Sequence, residues 1–373
     1  MYILAGEIGS KKSTFALFTH KKDDRNKRTI GSPIKSKTFY VEDYKKYGNQ
    51  SVKPERNGQV LEMIKAFITQ NCESQDKIYG ACLGISGPIY SQEATIDRPN
   101  LKTIFNEDDI RQVLPCKIVP VSLLNDMEAI GYGIFLGNGE DQLEELSSVT
   151  HQTNSKDRRA LMLVGDDGSG KACWYWDEKT YAFRFFSSEG GHTDCASRTD
   201  DEDDLLKMLR EEKKQRGDLS PVSNENVLSE IGLVKIYQYL QKTGRYNNEF
   251  LELKEASQII EKAQKEKDTL YEDALNMFLS IWGAEAGNLA LWFNAQGGVY
   301  IGGSPLLIKI LKLKKNDFLH AFTNKAESCR EYNSSIPVKV FPMEDIVLWG
   351  AARFAIDKGF VSLGEAAYAR SNK

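Results

Sequence analysis

The sequence predicts a two-domain, mixed α/β chain in which each domain opens with a β-hairpin. Three observations carry this expectation. A length of 373 residues with 41% apolar content exceeds what one hydrophobic core usually covers and can fill two cores of ordinary size. An apolar strand, a Gly-containing polar turn and a second apolar strand open the chain in YILAGEIGSKKSTFALFTH, and the same grammar returns at residues 160–176 in ALMLVGDDGSGKACWYW. Helical spacing of apolar residues occurs in both halves and dominates the second.

Taken in order, the first hairpin has a turn built for close backbone approach. Gln59 to Phe67 has the apolar spacing of a helix, and Ile78 to Ser86 reads as a strand that ends at Gly87-Pro88. The apolar run Ile118 to Leu124 places Asn125-Asp126 where a strand gives way to a helix beginning Met127-Glu128-Ala129. After the second hairpin, helices are expected over Asp203 to Lys213, Asn226 to Gln241, Glu252 to Lys265 and about Thr269 to Asn294. The strand GGVYIGG then runs into Ser304, a natural N-cap, with Pro305 suited to the first helical position. A helix from Ile346 to Ile356 closes the chain. Lys21 to Arg28, Gly137 to Lys156 and Glu211 to Gly217 are polar and read as solvated surface loops.

The charged fraction of 27% mixes both signs, and a net charge of -4 offers no basic field for nucleic acid or an anionic membrane. Six scattered cysteines without a CxxC pair fit a compartment where thiols stay reduced, the cytoplasm. The few apolar residues before Gly6 are too short for a signal segment, and no run approaches the length of a membrane span. Small-molecule or protein partners are therefore expected.

Gly165 to Lys171 has the GxxxxGK spacing of a Walker A loop. Ala172 has no hydroxyl for a metal, and CWYW is strand-like where that motif needs a helix, so the residues read better as a Gly-rich turn presenting backbone N–H groups. Asn125-Asp126 is read either as a helix cap or as a carboxylate within reach of a substrate hydroxyl. In Ser188-Glu189-Gly190-Gly191-His192-Thr193-Asp194, a double glycine admits a ligand between an acid and an imidazole, against the plainer reading of a structural turn. His192 and Cys195 lack a second ligand pair, so no protein metal site is expected. Glu225 alone reads as an early-turn acid favoured by the helix dipole.

Together, AGEIGSKKSTFALF, LGISGPI, LLNDMEAIGYGI, DDGSGKA, SSEGGHTDCA, ENVLSEIGL, GNLAL, GGVYIGG and IVLWGAARFA resemble the bacterial-type glucokinase family in order and spacing along nearly the whole chain. The resemblance implies a two-lobed, actin-like ATPase (ribonuclease H-like) α/β fold, with small and large domains flanking a central cleft. It places the small domain at residues 1–137, completed by the C-terminal helix 345–373, and the large domain at 138–344. The implied activity is ATP-dependent phosphorylation of glucose at its 6-hydroxyl. Asp126 is the implied general base, and Asn125, Asp126, Glu189, His192 and Glu225 are the implied sugar ligands. The implied nucleotide residues are Glu7, Gly9, Ser10, Lys11 and Lys12 in the first turn, Gly168, Ser169 and Gly170 in the second, and Gly302 and Gly303. Mg²⁺ arrives with ATP, near Glu7, without a direct protein cage. Family members often form homodimers.

The nucleotide side departs from the family's pattern. Glu7, Gly9, Ser10 and Lys11 stand where the family has Asp-x-Gly-Gly-Thr, Ala172 replaces a Gly, Gly302-Gly303-Ser304 replaces Ala-Gly-Gly, and Cys195 replaces an aromatic. The alternative expectation is thus a catalytically weak or inactive relative that binds glucose and serves a structural or sensing role with an assembly partner.

Overall fold

The computed structural model describes residues 2–22, 28–47, 54–56, 58–73, 75–98, 100–135, 143–147, 149, 154, 157–246, 251–266, 269–341 and 345–371. The chain divides into two compact units, Met1–Gln142 with Glu344–Lys373, and Leu143–Met343.

The first unit contains strands β1 (Tyr2–Ile8), β2 (Lys12–Lys22), β3 (Arg28–Tyr40) and β4 (Glu55–Arg56), then helix α1 (Gln59–Asn71). These are followed by β5 (Ile78–Ile85), β6 (Ile89–Tyr90), β7 (Glu93–Arg98), β8 (Leu101–Asn106), α2 (Glu107–Arg111), β9 (Val121–Asn125) and α3 (Asp126–Phe135). Its main sheet has the order β3-β2-β1-β5-β9, with β1 antiparallel to β2 and parallel to β5, and β5 parallel to β9. A smaller sheet has the order β4-β8-β7-β6. Every residue of β5 is buried, as expected of a strand covered on both faces. Leu4, Ile8, Phe15 and Leu17 pack with Val60, Met63, Ile64 and Phe67 of α1 in one core.

The second unit begins with β10 (Glu144–Glu145), β11 (Arg159–Val164), β12 (Ser169–Asp177) and β13 (Ala182–Ser188). Helices α4 (Asp200–Gln215), α5 (Asn224–Val227), α6 (Glu230–Lys242), α7 (Ala256–Lys265) and α8 (Leu270–Phe293) follow. Then come β14 (Val299–Gly303), α9 (Pro305–Leu313), α10 (Lys315–Thr323), α11 (Glu327–Ser334) and β15 (Val338–Val340). The sheet order is β10-β15-β14-β11-β12-β13. The hairpin grammar read in the sequence recurs as topology. Like β1, β11 is antiparallel to the next strand and parallel to a later one, β14, which in turn runs parallel to β15. Met162, Val164 and Ile301 of this sheet share a core with Phe278 and Trp282 of α8. The chain returns to the first unit for α12 (Ile346–Asp357) and α13 (Phe360–Ser371).

Ser304 caps α9 by accepting from the Leu307 N–H at 3.4 Å, with Pro305 at the first helical position. Four expectations are corrected. The helix expected over Asn226 to Gln241 is two, because Ser229 Oγ accepts from the Gly232 N–H at 3.0 Å and starts a new helix there. Glu252 to Glu255 precede α7, whose start is set by a reciprocal cap between Glu255 and Gln258. Glu211 to Gln215 are the last residues of α4, with only Arg216 and Gly217 beyond it. Finally, α12 is followed by α13 after Gly359, whose φ of 74° suits a glycine that ends one helix and turns the chain into the next. Of the other expected loops, Lys21 and Lys22 belong to β2 and Arg28 to β3, with residues 23–27 outside the described residues, as is most of Gly137 to Lys156. Among the described residues, no helix is long and apolar enough to cross a membrane.

Candidate active site

In the first unit, three neighbouring strand ends bring acidic and amide groups together. Glu7 is the penultimate residue of β1 and pairs in register with Gly84 of β5, while Ile85 pairs with Asn125 at the end of β9. Asp126 follows as the first residue of α3, where a helix N-terminus favours a carboxylate. Gly84 makes this assembly possible, since the Cβ it lacks would stand 3.8 Å from the Asp126 Cα and collide with the side chain of Val347 on α12. Glu7 and Asp126 therefore approach across a strand that has no side chain between them.

Asn125 does cap α3, because its Oδ1 accepts from the Met127 N–H at 3.0 Å, and its Nδ2 donates to the Gly87 carbonyl at 3.3 Å. The same Met127 N–H lies 2.8 Å from Asp126 Oδ1, which fixes the plane of that carboxylate. The capping and substrate readings of this pair are thus compatible, one side chain holding the helix while its neighbour is oriented by it.

Burial first, then the charge of Asp126, pushes the Glu7 carboxyl up from 4.5 to about 7, with Asp345 adding to the push and Lys12 opposing it. Asp345, which the sequence reading did not single out, precedes α12 in left-handed backbone with φ 58°. The turn between β1 and β2 is closed by the Gly9 N–H donating to the Lys12 carbonyl at 3.1 Å. Ser10 is half-buried, and Lys11 and Lys12 are exposed.

In the second unit, the turn between β11 and β12 is closed by the Gly165 N–H donating to the Gly168 carbonyl at 2.9 Å. The Gly165 and Asp166 carbonyls accept from the Glu230 and Ile231 N–H groups at 3.1 and 3.2 Å, so the first amides of α6 hold this loop. Ser169 and Gly170 begin β12 opposite Val164 and Leu163. Gly302 and Gly303 end β14, and the Ser304 hydroxyl beyond them donates to Glu230 Oε1.

Glu189 precedes the short turn Gly190–His192, and Gly191 packs so tightly against the Ser169 carbonyl that no Cβ fits. His192 stands between two carboxylates, with Nδ1 3.1 Å from Glu225 Oε1 and Nε2 3.7 Å from Glu189 Oε2. Glu225 lies in α5 and leans on the glycine loop, its Oε2 being 3.0 Å from where a Gly168 Cβ would be. Glu189, His192, Glu225 and Gly168 thus form one cluster. The glutamate and histidine side chains of the turn are about half exposed, at 52% and 48%, while that of Glu225 is 15% exposed.

Asn224, buried and not singled out by sequence, joins the two segments of this cluster. Its Nδ2 donates to Thr193 Oγ1 at 2.9 Å and to the Thr193 carbonyl at 3.2 Å. The Cys195 N–H donates to the Val222 carbonyl at 2.9 Å, and Asp194 bridges Ser223 in antiparallel fashion. Lys171, the lysine of the Walker-like spacing, is 4% exposed and paired with Glu285 of α8, so it faces the interior rather than a phosphate. Among the described residues, no group of three or more His, Cys, Asp or Glu is placed to hold a metal ion.

A family model described as Glucokinase matches residues 4–358. A glucokinase of Nostoc is 31% identical over 373 aligned positions, covering 94% of this chain and 97% of its own. One from Synechocystis is 30% identical, covering 94% of this chain and 96% of its own. The crystal structure of a glucokinase from an Antarctic psychrotroph superposes with a TM-score of 0.70 at 26% identity, covering 95% of this chain and 98% of that one.

Proposed function

Because the chain belongs to the glucokinase family and shares the actin-like ATPase fold of its structural neighbours, we propose that it transfers the γ-phosphoryl group of ATP to the 6-hydroxyl of glucose. The observation that carries this reading is the meeting of Glu7, Asn125 and Asp126 at adjoining strand ends, with Asp126 oriented by the Met127 N–H. Phosphoryl transfer asks little covalent chemistry of the protein, so positioning and charge placement are its main contributions.

In this reading Asp126 accepts the proton of the 6-hydroxyl as that oxygen attacks the γ-phosphorus in line. Asn125, Glu189, His192 and Glu225 supply fixed donors and acceptors to the other hydroxyls of the sugar, where a missing partner would leave a buried polar group unsatisfied. The turns at Gly9 to Lys12 and Gly168 to Gly170, with Gly302 and Gly303, are assigned to the nucleotide, and Lys11 and Lys12 offer it exposed positive charge. The site suits a cation carried by the nucleotide, since Glu7 presents hard oxygen atoms where the charge of Asp126 already crowds it. Bound there, Mg²⁺ supplies neutralisation of phosphate charge. A cytoplasmic location belongs to the same proposal and accords with six free thiols.

Asp126→Ala tests the assignment in a coupled assay of ATP-dependent glucose phosphorylation. Loss of the base should lower kcat by roughly 10²–10⁴-fold while the thermal transition stays within a few degrees of the parent. Full activity in that variant would sink the role of Asp126, and inactivity of the parent with glucose binding intact would favour a sensing or structural protein.

A further inference from the structure

We propose that the buried pair of Lys171 and Glu285 is a positioning device for the turn that carries Glu189 and His192, and through it sets the affinity for glucose. This rests on the sugar-binding reading given above.

Lys171 reaches the turn by two routes. Its carbonyl accepts from Ser188 Oγ at 2.9 Å, and Ser188 Oγ in turn accepts from the Gly190 N–H at 3.3 Å. Its side chain runs beneath the glycine, since a Cβ at Gly190 would be 2.8 Å from the Lys171 Cδ. The turn therefore rests on the methylene stem of a lysine that is 4% exposed.

The position of that stem is decided at its far end, on α8. The Lys171 ammonium is paired with Glu285 Oε1, while Glu285 Oε2 accepts from Asn288 Nδ2 at 3.0 Å. Asn288 Oδ1 in turn accepts from Lys325 Nζ at 2.6 Å, and Lys325 also donates to the Ala284 carbonyl at 2.8 Å. Each charged group in this chain of contacts has a partner on or beside α8, the longest helix of the core.

The surroundings are poorly solvated, the Lys171 and Glu285 side chains being 5% and 18% exposed, and burial accordingly pushes the neighbouring Cys195 thiol up to about 12, with Glu285 adding to the effect. An ion pair in such a place is worth little stability over apolar residues of equal volume, whereas removing one partner strands the other. Its value lies in fixing the stem. Glu189 lies between Ser188 and Gly190, and His192 is two residues beyond Gly190 at the end of a turn only three residues long, so movement of the stem is transmitted to both directly.

Calorimetric titration of glucose, with no nucleotide present, into the parent, Glu285→Gln and the double variant Lys171→Met with Glu285→Met tests this. Glu285→Gln leaves the ammonium without a counter-charge and is expected to weaken glucose binding about tenfold while leaving the KM for ATP within twofold. The double variant keeps the stem but needs no counter-ion, and should return to within about threefold of the parent. Equal glucose affinity in the parent and Glu285→Gln would overturn the positioning role alone, as would equal losses for glucose and ATP. Absence of glucose binding by the parent would overturn the sugar reading together with it.

Discussion

Glu7→Gln should change how stability depends on pH. In the free chain, burial and the charge of Asp126 raise the Glu7 carboxyl from 4.5 to about 7. A raised carboxyl is protonated in the folded state over a range where it is ionised in the unfolded state. Its contribution is fully present below pH 4.5 and is lost as pH rises through 7. At about 1.4 kcal/mol for each tenfold change in proton affinity, the parent should lose roughly 2–3 kcal/mol between pH 5 and pH 8 from this group. Glutamine has nearly the shape of the protonated acid and cannot ionise, so the variant escapes that loss. For a unit of this size, roughly 2–4 °C per kcal/mol turns the difference into a relative shift of about 5–10 °C in the transition of the first unit. Differential scanning calorimetry of parent and variant at pH 5, 6, 7 and 8 measures it, comparing the two proteins at each pH because a two-unit chain need not unfold in one step. Parallel profiles would refute the reasoning. Asp126→Asn should narrow the gap without closing it, since burial is the larger cause.

Two further substitutions probe the same strand ends. Gly84→Ala places a methyl group against Val347 and close to Ala129, whose Cβ would be 3.3 Å away, and should cost about 1–3 kcal/mol of stability by overpacking, read as a lowered urea midpoint; an unchanged midpoint would show that α12 gives way freely. Glu7→Asp combined with Lys11→Thr introduces the groups that the resemblance leads one to expect in the first turn and, under the proposed function, should raise kcat for glucose phosphorylation by up to about 10²-fold, the scale of a 1 Å displacement near reacting atoms. Unchanged or lower kcat would show that the longer carboxylate and the lysine are already suited to this chain.

Much of the frame was legible because its signals are local. The hairpins announced themselves by apolar strands around glycine turns, and Ser304-Pro305 announced the start of α9, where Ser304 does cap the helix. Errors arose where a local signal was overridden. Apolar spacing runs through Leu228 and Ser229 without interruption, yet Ser229 caps α6 and its neighbours Glu230 and Ile231 spend their N–H groups on the Gly165 and Asp166 carbonyls, a contact from another part of the chain. Glu211 to Gln215 looked like a loop because the residues are charged, but α4 is a surface helix whose narrow apolar face is Leu205, Leu206, Met208 and Leu209. The candidate site divides in the same way. Asn125, Asp126, Glu189, His192 and Glu225 each admitted a plain structural reading and were singled out as a set only through the resemblance, whereas the pairing of Lys171 with Glu285 spans 114 positions and leaves no trace in spacing. The role of Asn224 and the left-handed Asp345 were equally silent, since each depends on what the fold brings beside it.

In the proposed reading, Glu7 and Lys11 of the first turn and the residues assigned to the sugar act on different terms of the reaction. A set of hydroxyl partners fixes where the acceptor oxygen stands, and its worth is felt in the ground state and the transition state alike. Glu7 acts on charge, and its environment works in two directions. Desolvation and the nearby carboxylates disfavour its ionised form in the free chain, and those same carboxylates favour any cation that arrives with phosphate. A glutamate reaches one methylene farther than an aspartate from the same strand position. The effect of that reach on a nucleotide depends on the turn that follows it, where Lys11 would supply a point charge in place of a directional hydroxyl. The two changes are therefore coupled through the phosphate they would share, and their effects on kcat should be far from additive. Taken singly, either Glu7→Asp or Lys11→Thr would test a mismatched pair.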